Sequence, residues 1–142
     1  MTTIAYRSGV LAGDSQATDD QLWQTNKIHR LSTSAGKLLV GFAGDTFAAL
    51  VFIEWLKNDQ SRKPDISNED FEAIVVAETG RVTIWNQSLI PWSPEGKFFA
   101  IGSGGKVAMG AMHAGKGAME AVRIACKVDP YTRGPVRSLR LK

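Results

Sequence analysis

A hydroxyl side chain directly follows the first methionine of the chain, which begins MTTIAYRSGVLAGDSQAT. If Met1 is removed, Thr2 becomes the first residue, and its hydroxyl then lies beside a free α-amine. That pair is a nucleophile and a base within one residue, since an α-amine has a pKa of about 7.7–8.0. Thr2 also suits an ordinary strand, because Thr, Ile and Tyr favour pleated, half-buried surfaces. This stretch alone leaves both interpretations open.

Two charged residues and a glycine-rich segment are further candidates for chemistry. Lys27 lies within the strand-like stretch NKIHRLST, and Asp14 follows LAG at the end of another predicted strand. A lysine at a strand end commonly reaches solvent, and an aspartate commonly closes a turn, so both structural interpretations stay open. The segment GSGG at 102–105 could present backbone N–H groups, but it matches neither phosphate-binding nor dinucleotide-binding patterns, and nucleotide binding is not predicted.

The bulk composition favours one soluble domain and excludes several classes of protein. The 142 residues are 44% hydrophobic and 22% charged, which suits one core without covalent staples. The only cysteine, Cys126, excludes an internal disulfide and favours a reducing, cytoplasmic location. The two histidines lie far apart, so neither a metal nor another cofactor is predicted. We find no signal peptide and no stretch long enough to cross a membrane.

The net charge of +3 is mild, and basic residues cluster only near the end of the chain. This cluster consists of Arg133, Arg137, Arg140 and Lys142. It could contact nucleic acid, but a solvated terminal strand is the favoured interpretation, and no nucleic-acid partner is predicted.

The pattern of apolar residues predicts β-hairpins interrupted by two helices. The first helix is predicted from about Thr46 to Lys57 with Asp45 as its N-cap, and the second from about Lys106 to Lys127. The predicted strands are residues 2–7, VLAGD, KIHRLST, KLLVGFAG, FEAIVVAE, RVTIWNQ, FFAIGSGG and PVRSLRL. Hairpins imply mostly antiparallel sheets, so this order predicts an α+β fold of two stacked sheets with helices outside.

Five stretches in this order resemble the proteasome β-subunit and HslV family of N-terminal-nucleophile (Ntn) hydrolases. They are TTIAYRSGVLAGDSQAT, NKIHRL, LLVGFAGDTF, AIGSGG and VDPYTRG. The resemblance implies a single domain over residues 1–142 with a four-layer αββα sandwich. It also implies a threonine-type endopeptidase that acts on polypeptides, with Thr2 as nucleophile after removal of Met1.

The resemblance assigns a role to each matching residue. Lys27 matches the catalytic lysine, Asp14 its acidic partner, and Gly41 the glycine whose N–H stabilises the oxyanion. Ser103 matches a serine near the α-amine, and Asp129 and Thr132 stand where an Asp and a Ser support that group. The positions that shape the pocket for the substrate residue before the cleaved bond are His29, Leu39 and Ala43. Of these, Leu39 and Ala43 favour an apolar substrate side chain.

The chain departs from the family in one helical layer. Family members have a second long helix antiparallel to the first, whereas here only SRKPDISNEDFE separates the first helix from the next strand. Its loss would expose the apolar helix TFAALVFIEWL, so we predict a homo-oligomer, with a ring as the first choice. An AAA+ ATPase that unfolds substrates is a possible partner by resemblance. Two alternatives stay open: a non-catalytic ring or scaffold subunit that keeps Met1, and an Ntn amidase acting on a small amide.

Overall fold

A computed structural model describes residues 2–18 and 21–142 of the chain. Met1, whose removal the sequence predicts, lies outside the described residues. In chain order the elements are β1 (Ile4–Arg7), β2 (Val10–Gly13), β3 (Gln16–Thr18), β4 (Leu22–Gln24), β5 (Ile28–Thr33), β6 (Gly36–Gly44), α1 (Thr46–Lys57), β7 (Phe71–Ala77), β8 (Val82–Asn86), β9 (Phe98–Ile101), α2 (Gly105–His113), α3 (Ala118–Val128) and β10 (Arg137–Arg140).

Two four-stranded antiparallel sheets form the centre of the molecule. One has the strand order β10-β2-β1-β9 and the other β5-β6-β7-β8, while β3 and β4 pair separately as a short hairpin. The sheets enclose an apolar layer that includes Ile4, Leu11 and Ile74. A second apolar layer, which includes Phe52 of α1, lies between α1 and the β5–β8 sheet. A third, which includes Met112 of α2 and Val122 of α3, lies between these two helices and the other sheet. These layers confirm the predicted αββα sandwich of α+β class.

One helical layer is reduced, as the sequence predicts. Residues 58–70 form turns and irregular structure, so α1 covers its sheet without the second helix. Three apolar side chains of α1 are consequently exposed, with Phe47 77%, Leu50 47% and Val51 42% accessible. Within the described ranges, no helix is both long and apolar enough to cross a bilayer.

The structure corrects two details of the predicted elements. The single helix expected from Lys106 to Lys127 is two helices, because Gly115 has a φ of +97°, which a continuous helix cannot accommodate. The chain also forms the unpredicted hairpin β3–β4, whose strands have three residues each. Strands this short carry too few alternating positions for a pattern to be recognised.

The first turn of α1 depends on the side chain that begins it. Asp45 has extended backbone geometry, and its Oδ1 accepts a hydrogen bond of 2.8 Å from the N–H of Ala48. We expect Asp45→Ala to lower the free energy of unfolding by about 1 kcal/mol, because that N–H loses its partner. Chemical denaturation measures the loss. Asp45→Asn keeps an acceptor and should cost less than half as much; equal losses would show that the cap does not act through this hydrogen bond.

Candidate active site

Three residues from different parts of the chain meet at the end of the sandwich. The ammonium Nζ of Lys27 donates a hydrogen bond of 2.8 Å to the Thr2 hydroxyl and lies 3.1 Å from Oδ1 of Asp14. All three residues are buried, with 1–4% of their surfaces accessible. A positive charge beside a hydroxyl stabilises the alkoxide that forms when the hydroxyl loses its proton, which is one way to activate a nucleophile.

Backbone N–H groups hold the Asp14 carboxylate in place. Its Oδ1 accepts from the N–H of Thr3 at 3.1 Å, and its Oδ2 accepts from the N–H groups of Gln16 and Arg133 at 3.4 and 3.2 Å. Hydrogen bonds from backbone N–H groups fix the orientation of a buried carboxylate. The carboxylate can therefore orient Lys27 without leaving a buried charge unpaired.

Burial sets the proton affinity of the lysine. Removal from water lowers the pKa of Lys27 below its ordinary value, and the charge and hydrogen bond of Asp14 oppose that shift without cancelling it. The Asp14 carboxylate, 3.1 Å away, stabilises the charged form of the lysine in this buried position. Lys27 therefore places a positive charge beside the Thr2 hydroxyl.

A second set of side chains surrounds the main-chain nitrogen of Thr2. That nitrogen donates to the Oγ of Ser103 at 3.2 Å, and the Ser103 hydroxyl donates to Oδ2 of Asp129 at 2.6 Å. Thr132 donates to the same carboxylate oxygen at 2.6 Å and shares a 2.8 Å hydrogen bond with the hydroxyl of Thr3. Five residues thus form one connected network around the first residues of the chain.

The carboxylate at the centre of this network stays ionised. Burial raises the pKa of Asp129, but hydrogen bonds donated by Ser103, Thr132 and the N–H of Tyr131 outweigh burial and hold that pKa below its ordinary value. An ionised Asp129 can only accept hydrogen bonds, so it fixes the orientation of the Ser103 hydroxyl. The Ser103 oxygen is left facing the nitrogen of Thr2.

The loop that carries Ser103 requires glycine where it crosses the start of the chain. Gly102 has a φ of +93°, and a Cβ there would lie 2.1 Å from the carbonyl oxygen of Thr2. Only glycine permits both the conformation and this approach. The close approach keeps Ser103 within reach of Thr2.

A cavity of about 580 Å³ opens beside Thr2 and Lys27. The β3–β4 hairpin and the junction between β6 and α1 form its walls. Its lining residues are Thr2, Gln16, Ala17, Thr18, Trp23, Gln24, Thr25, Lys27, Phe42, Gly44, Asp45, Thr46 and Phe47.

The structure does not place Gly41, the residue expected to stabilise an oxyanion, at this cavity. Gly41 does not line this cavity, because its Cα faces the layer between the sheets, where a Cβ would lie 2.6 Å from Ile4. Phe42 donates its N–H to the carbonyl of Lys27, at the edge of β6 that faces β5. Since N–H directions alternate along a strand, the N–H of Gly44 points to the same edge, beyond the start of β5. Gly44, not Gly41, therefore presents an N–H towards the cavity.

The three residues expected to shape the substrate pocket do not lie together. Leu39 and Ala43 are buried in the layer between the sheets. His29 lies on the opposite face of its sheet, where its ring stacks on Phe42 with centroids 5.9 Å apart. Burial lowers the pKa of His29, which favours the neutral ring. His29 therefore contacts a cavity residue, whereas Leu39 and Ala43 are separated from the cavity by the sheet.

Several cavity residues were absent from the sequence-based site. Trp23, Gln24 and Thr25 lie on or beside β4, the strand that the sequence pattern did not reveal. A tryptophan in a polar stretch was the available signal, because Gln24 follows Trp23 and Gln21 lies two residues before it, and an aromatic residue in such surroundings often marks a binding surface.

Gly44 combines two constraints that can be separated by mutation. Its φ is +97°, and a Cβ would lie 2.1 Å from the carbonyl oxygen of Asp70, whereas Gly80 has a similar φ of +88° and open space around it. We expect Gly80→Ala to cost about 1–2 kcal/mol of unfolding free energy, from the backbone conformation alone. Gly44→Ala should cost about 3 kcal/mol or more, because β7 must also shift. Denaturant unfolding compares the two, and equal losses would contradict the close approach at Gly44.

Solved structures with the same overall fold exist, although sequence comparison finds no relative. No protein-family model and no curated protein matches the chain. A crystal structure of eukaryotic HslV from Trypanosoma brucei matches at a TM-score of 0.71 and 20% identity, covering 98% of both chains. Thiobacillus denitrificans BPH, in complex with epoxomicin, matches at 0.70 and 17%, covering 99% of this chain and 98% of that one. An Anbu (Gly-1) mutant from Hyphomicrobium sp. strain MC1 matches at 0.74 and 11%, covering 99% and 81%. The chain thus has the fold of HslV and BPH.

Proposed function

We propose that this chain is a threonine-type peptidase of the Ntn-hydrolase class and that Thr2 is its nucleophile. The observation that carries the proposal is the contact of 2.8 Å between the Thr2 hydroxyl and the buried Lys27 amine, beside a cavity large enough for a peptide segment. The shared fold with HslV and BPH supports the same class of chemistry. The connected support from Asp14 and Ser103 argues against a non-catalytic scaffold, which would have no need of it.

Removal of Met1 is the step that completes the site. While Met1 is attached, the nitrogen of Thr2 is an amide and cannot accept a proton. Once it is a free α-amine, it lies 3.2 Å from the Ser103 hydroxyl oxygen, with a pKa of about 7.7–8.0 before any influence of its surroundings. The neighbouring positive charge of Lys27 favours the neutral amine, which is the form that acts as base.

The reaction then proceeds by acyl transfer. The Thr2 oxygen attacks the peptide carbonyl carbon while the α-amine takes the hydroxyl proton. The negative charge that forms on the carbonyl oxygen is stabilised by the N–H of Gly44, and such a donor is typically worth about 2.7–4 kcal/mol in the barrier. The protonated α-amine of Thr2 then gives this proton to the leaving amine of the substrate as the C–N bond breaks. Water then hydrolyses the ester on Thr2 and restores the site.

Assembly into a homo-oligomer, with a ring as the first choice, is part of the proposal. The apolar side chains of Phe47, Leu50 and Val51 are accessible on α1, where the family resemblance implies a covering helix. An AAA+ unfoldase is the partner that such a ring would use on folded polypeptides. Sedimentation of the purified protein measures the assembly separately from activity.

The proposal is tested by comparing two forms of the same chain. One begins at Thr2, and the other keeps Met1, with both masses verified by mass spectrometry. We expect hydrolysis of a fluorogenic peptide only by the form with a free Thr2 amine. Equal hydrolysis by both forms would contradict the α-amine as base, and hydrolysis of small amides but not peptides would favour the amidase.

A further inference from the structure

A second cavity lies at the end of the sandwich opposite to Thr2. It has a volume of about 510 Å³ and opens where β1 ends, between the β7–β8 turn and the segment before β9. Thr2 precedes β1 and Ser8 follows it, so a stretch of extended chain of about 20 Å separates the two cavities. A volume of this size is typical of pockets that hold small molecules. The second cavity is therefore a candidate binding site distinct from the proposed catalytic centre.

The floor of the second cavity is one end of the apolar layer between the two sheets. Tyr6 of β1 and Phe99 of β9 are directly opposite each other in the antiparallel pairing, so their side chains lie on the same face. Val82 of β8 completes the floor from the other sheet. An apolar group that enters the cavity would contact these side chains and leave water. The floor thus suits the apolar part of a ligand.

The Tyr6 side chain brings one polar group to this apolar floor. Only 6% of the residue's surface is accessible, yet its hydroxyl makes no hydrogen bond with any residue that the structure describes. A buried tyrosine hydroxyl normally has a hydrogen-bond partner, because leaving it without one costs free energy. Since the hydroxyl is not fully enclosed and Tyr6 lines the cavity, a ligand there can supply the acceptor.

The mouth of the second cavity is positively charged. Arg81 and Lys97 line it from two separate segments, and neither forms an ion pair with a described residue. The Nε of Arg81 donates a hydrogen bond of 3.3 Å to the Ser93 hydroxyl, which restricts the orientation of the guanidinium. Among the described lining residues there is no carboxylate, and Glu95, although close in the chain, does not line the cavity. The mouth therefore attracts an anion.

We propose that the second cavity binds a small organic anion, with a phosphate or carboxylate group held by Arg81 and Lys97 and an apolar part that packs on Phe99. The Tyr6 hydroxyl donates a hydrogen bond to the same anion. One molecule then uses the apolar floor, the hydroxyl and the two cations together. The proposal concerns binding alone and does not depend on the peptidase activity proposed above.

Two exposed cations elsewhere in the chain provide a matched control for the charge. Arg62 and Lys63 lie in the irregular segment after α1 and do not line the second cavity, so Arg62→Gln/Lys63→Gln removes the same charges as Arg81→Gln/Lys97→Gln. Phenyl phosphate is titrated into each protein by calorimetry. We expect Arg81→Gln/Lys97→Gln to weaken binding by about 10-fold or more, and the control to change it by less than about twofold. Equal weakening by both, or no saturable binding to the native chain at millimolar concentrations, would overturn the proposal.

Tyr6→Phe tests the role of the hydroxyl. Because this hydroxyl has no partner among the described residues, its removal should leave the unfolding midpoint of the ligand-free protein unchanged while it weakens phenyl phosphate binding by about 10-fold. Tyr131→Phe is the control, since Tyr131 is the only other tyrosine and lies outside the cavity, and it should change neither quantity. A lower unfolding midpoint in Tyr6→Phe with unchanged binding would show that the hydroxyl serves the fold and would contradict the proposal.

Three further probes separate the parts of the ligand. Benzoate carries a carboxylate on the same ring, inorganic phosphate lacks the ring, and benzyl alcohol lacks the charge. We expect benzoate or phenyl phosphate to bind most tightly, which identifies the anionic group, inorganic phosphate to bind more weakly, and benzyl alcohol not to bind. Binding of benzyl alcohol as tight as that of phenyl phosphate would overturn the anion assignment. Altered sedimentation of Arg81→Gln/Lys97→Gln with unchanged binding would assign the two cations to subunit assembly instead.

Discussion

Thr2→Ala is expected to lower peptide hydrolysis by about 1,000-fold or more, because the substitution removes the only atom proposed to attack the substrate. Alanine, like threonine, is small enough to permit removal of Met1, so the variant still has a free α-amine at its first residue. Its effect on stability should be small, since the lost hydroxyl contacts the Lys27 amine, which keeps its ion pair with Asp14. Initial rates on a fluorogenic peptide, with unfolding curves as a check of folding, measure both effects.

Thr2→Ser is the matched control, because serine keeps the hydroxyl and loses only a methyl group. We expect this variant to retain measurable turnover and to form the same acyl intermediate. Activity of Thr2→Ala comparable to the native chain would place the nucleophile elsewhere. Loss of activity in Thr2→Ser to the level of alanine would show that the methyl group positions the hydroxyl.

Lys27→Met is the second substitution with a large expected effect. Methionine has a similar length and no charge, so the Thr2 hydroxyl loses the amine that lies 2.8 Å away. We expect turnover to fall about 100- to 1,000-fold, the range for losing one preorganised electrostatic group, because the positive charge beside the attacking oxygen and the α-amine is gone. Stability should also fall, because removing one member of a buried ion pair leaves Asp14 with its backbone donors alone.

The double variant Lys27→Met/Asp14→Asn separates the two roles of the lysine. Asparagine removes the buried negative charge, but its NH2 group replaces one of the two oxygens that accept backbone N–H groups, so the double variant should recover only part of the stability that Lys27→Met loses. Its turnover should stay as low as that of the single variant. Recovery of turnover together with stability would show that Lys27 acts only by supporting the fold.

Contacts among the candidate residues were predictable where these residues belong to short motifs that follow one another in a fixed order. Thr2, Asp14 and Lys27 lie within the first 27 residues, and in the structure their side chains meet at 2.8 and 3.1 Å. Ser103 and Asp129 were expected near the α-amine from the family resemblance, and their side chains meet at 2.6 Å.

The glycine assignment shows what motifs alone cannot determine. The stretch VGFAGD contains two glycines three residues apart, and consecutive N–H groups of a strand point to opposite edges. Which edge faces the cavity depends on pairing with β5 and β7, which only the register reveals. The same pairing separates Leu39 and Ala43 from the cavity. The β3–β4 hairpin could not be predicted, because three-residue strands give no periodic signal.

The most direct test of the account is the intact mass of the purified protein before and after treatment with an epoxyketone such as epoxomicin. This reagent captures an α-amine and a hydroxyl on the same N-terminal residue. We predict a mass that lacks Met1 and a one-to-one adduct that is absent from Thr2→Ala. A chain that begins at Thr2 and forms no adduct would contradict Thr2 as the nucleophile.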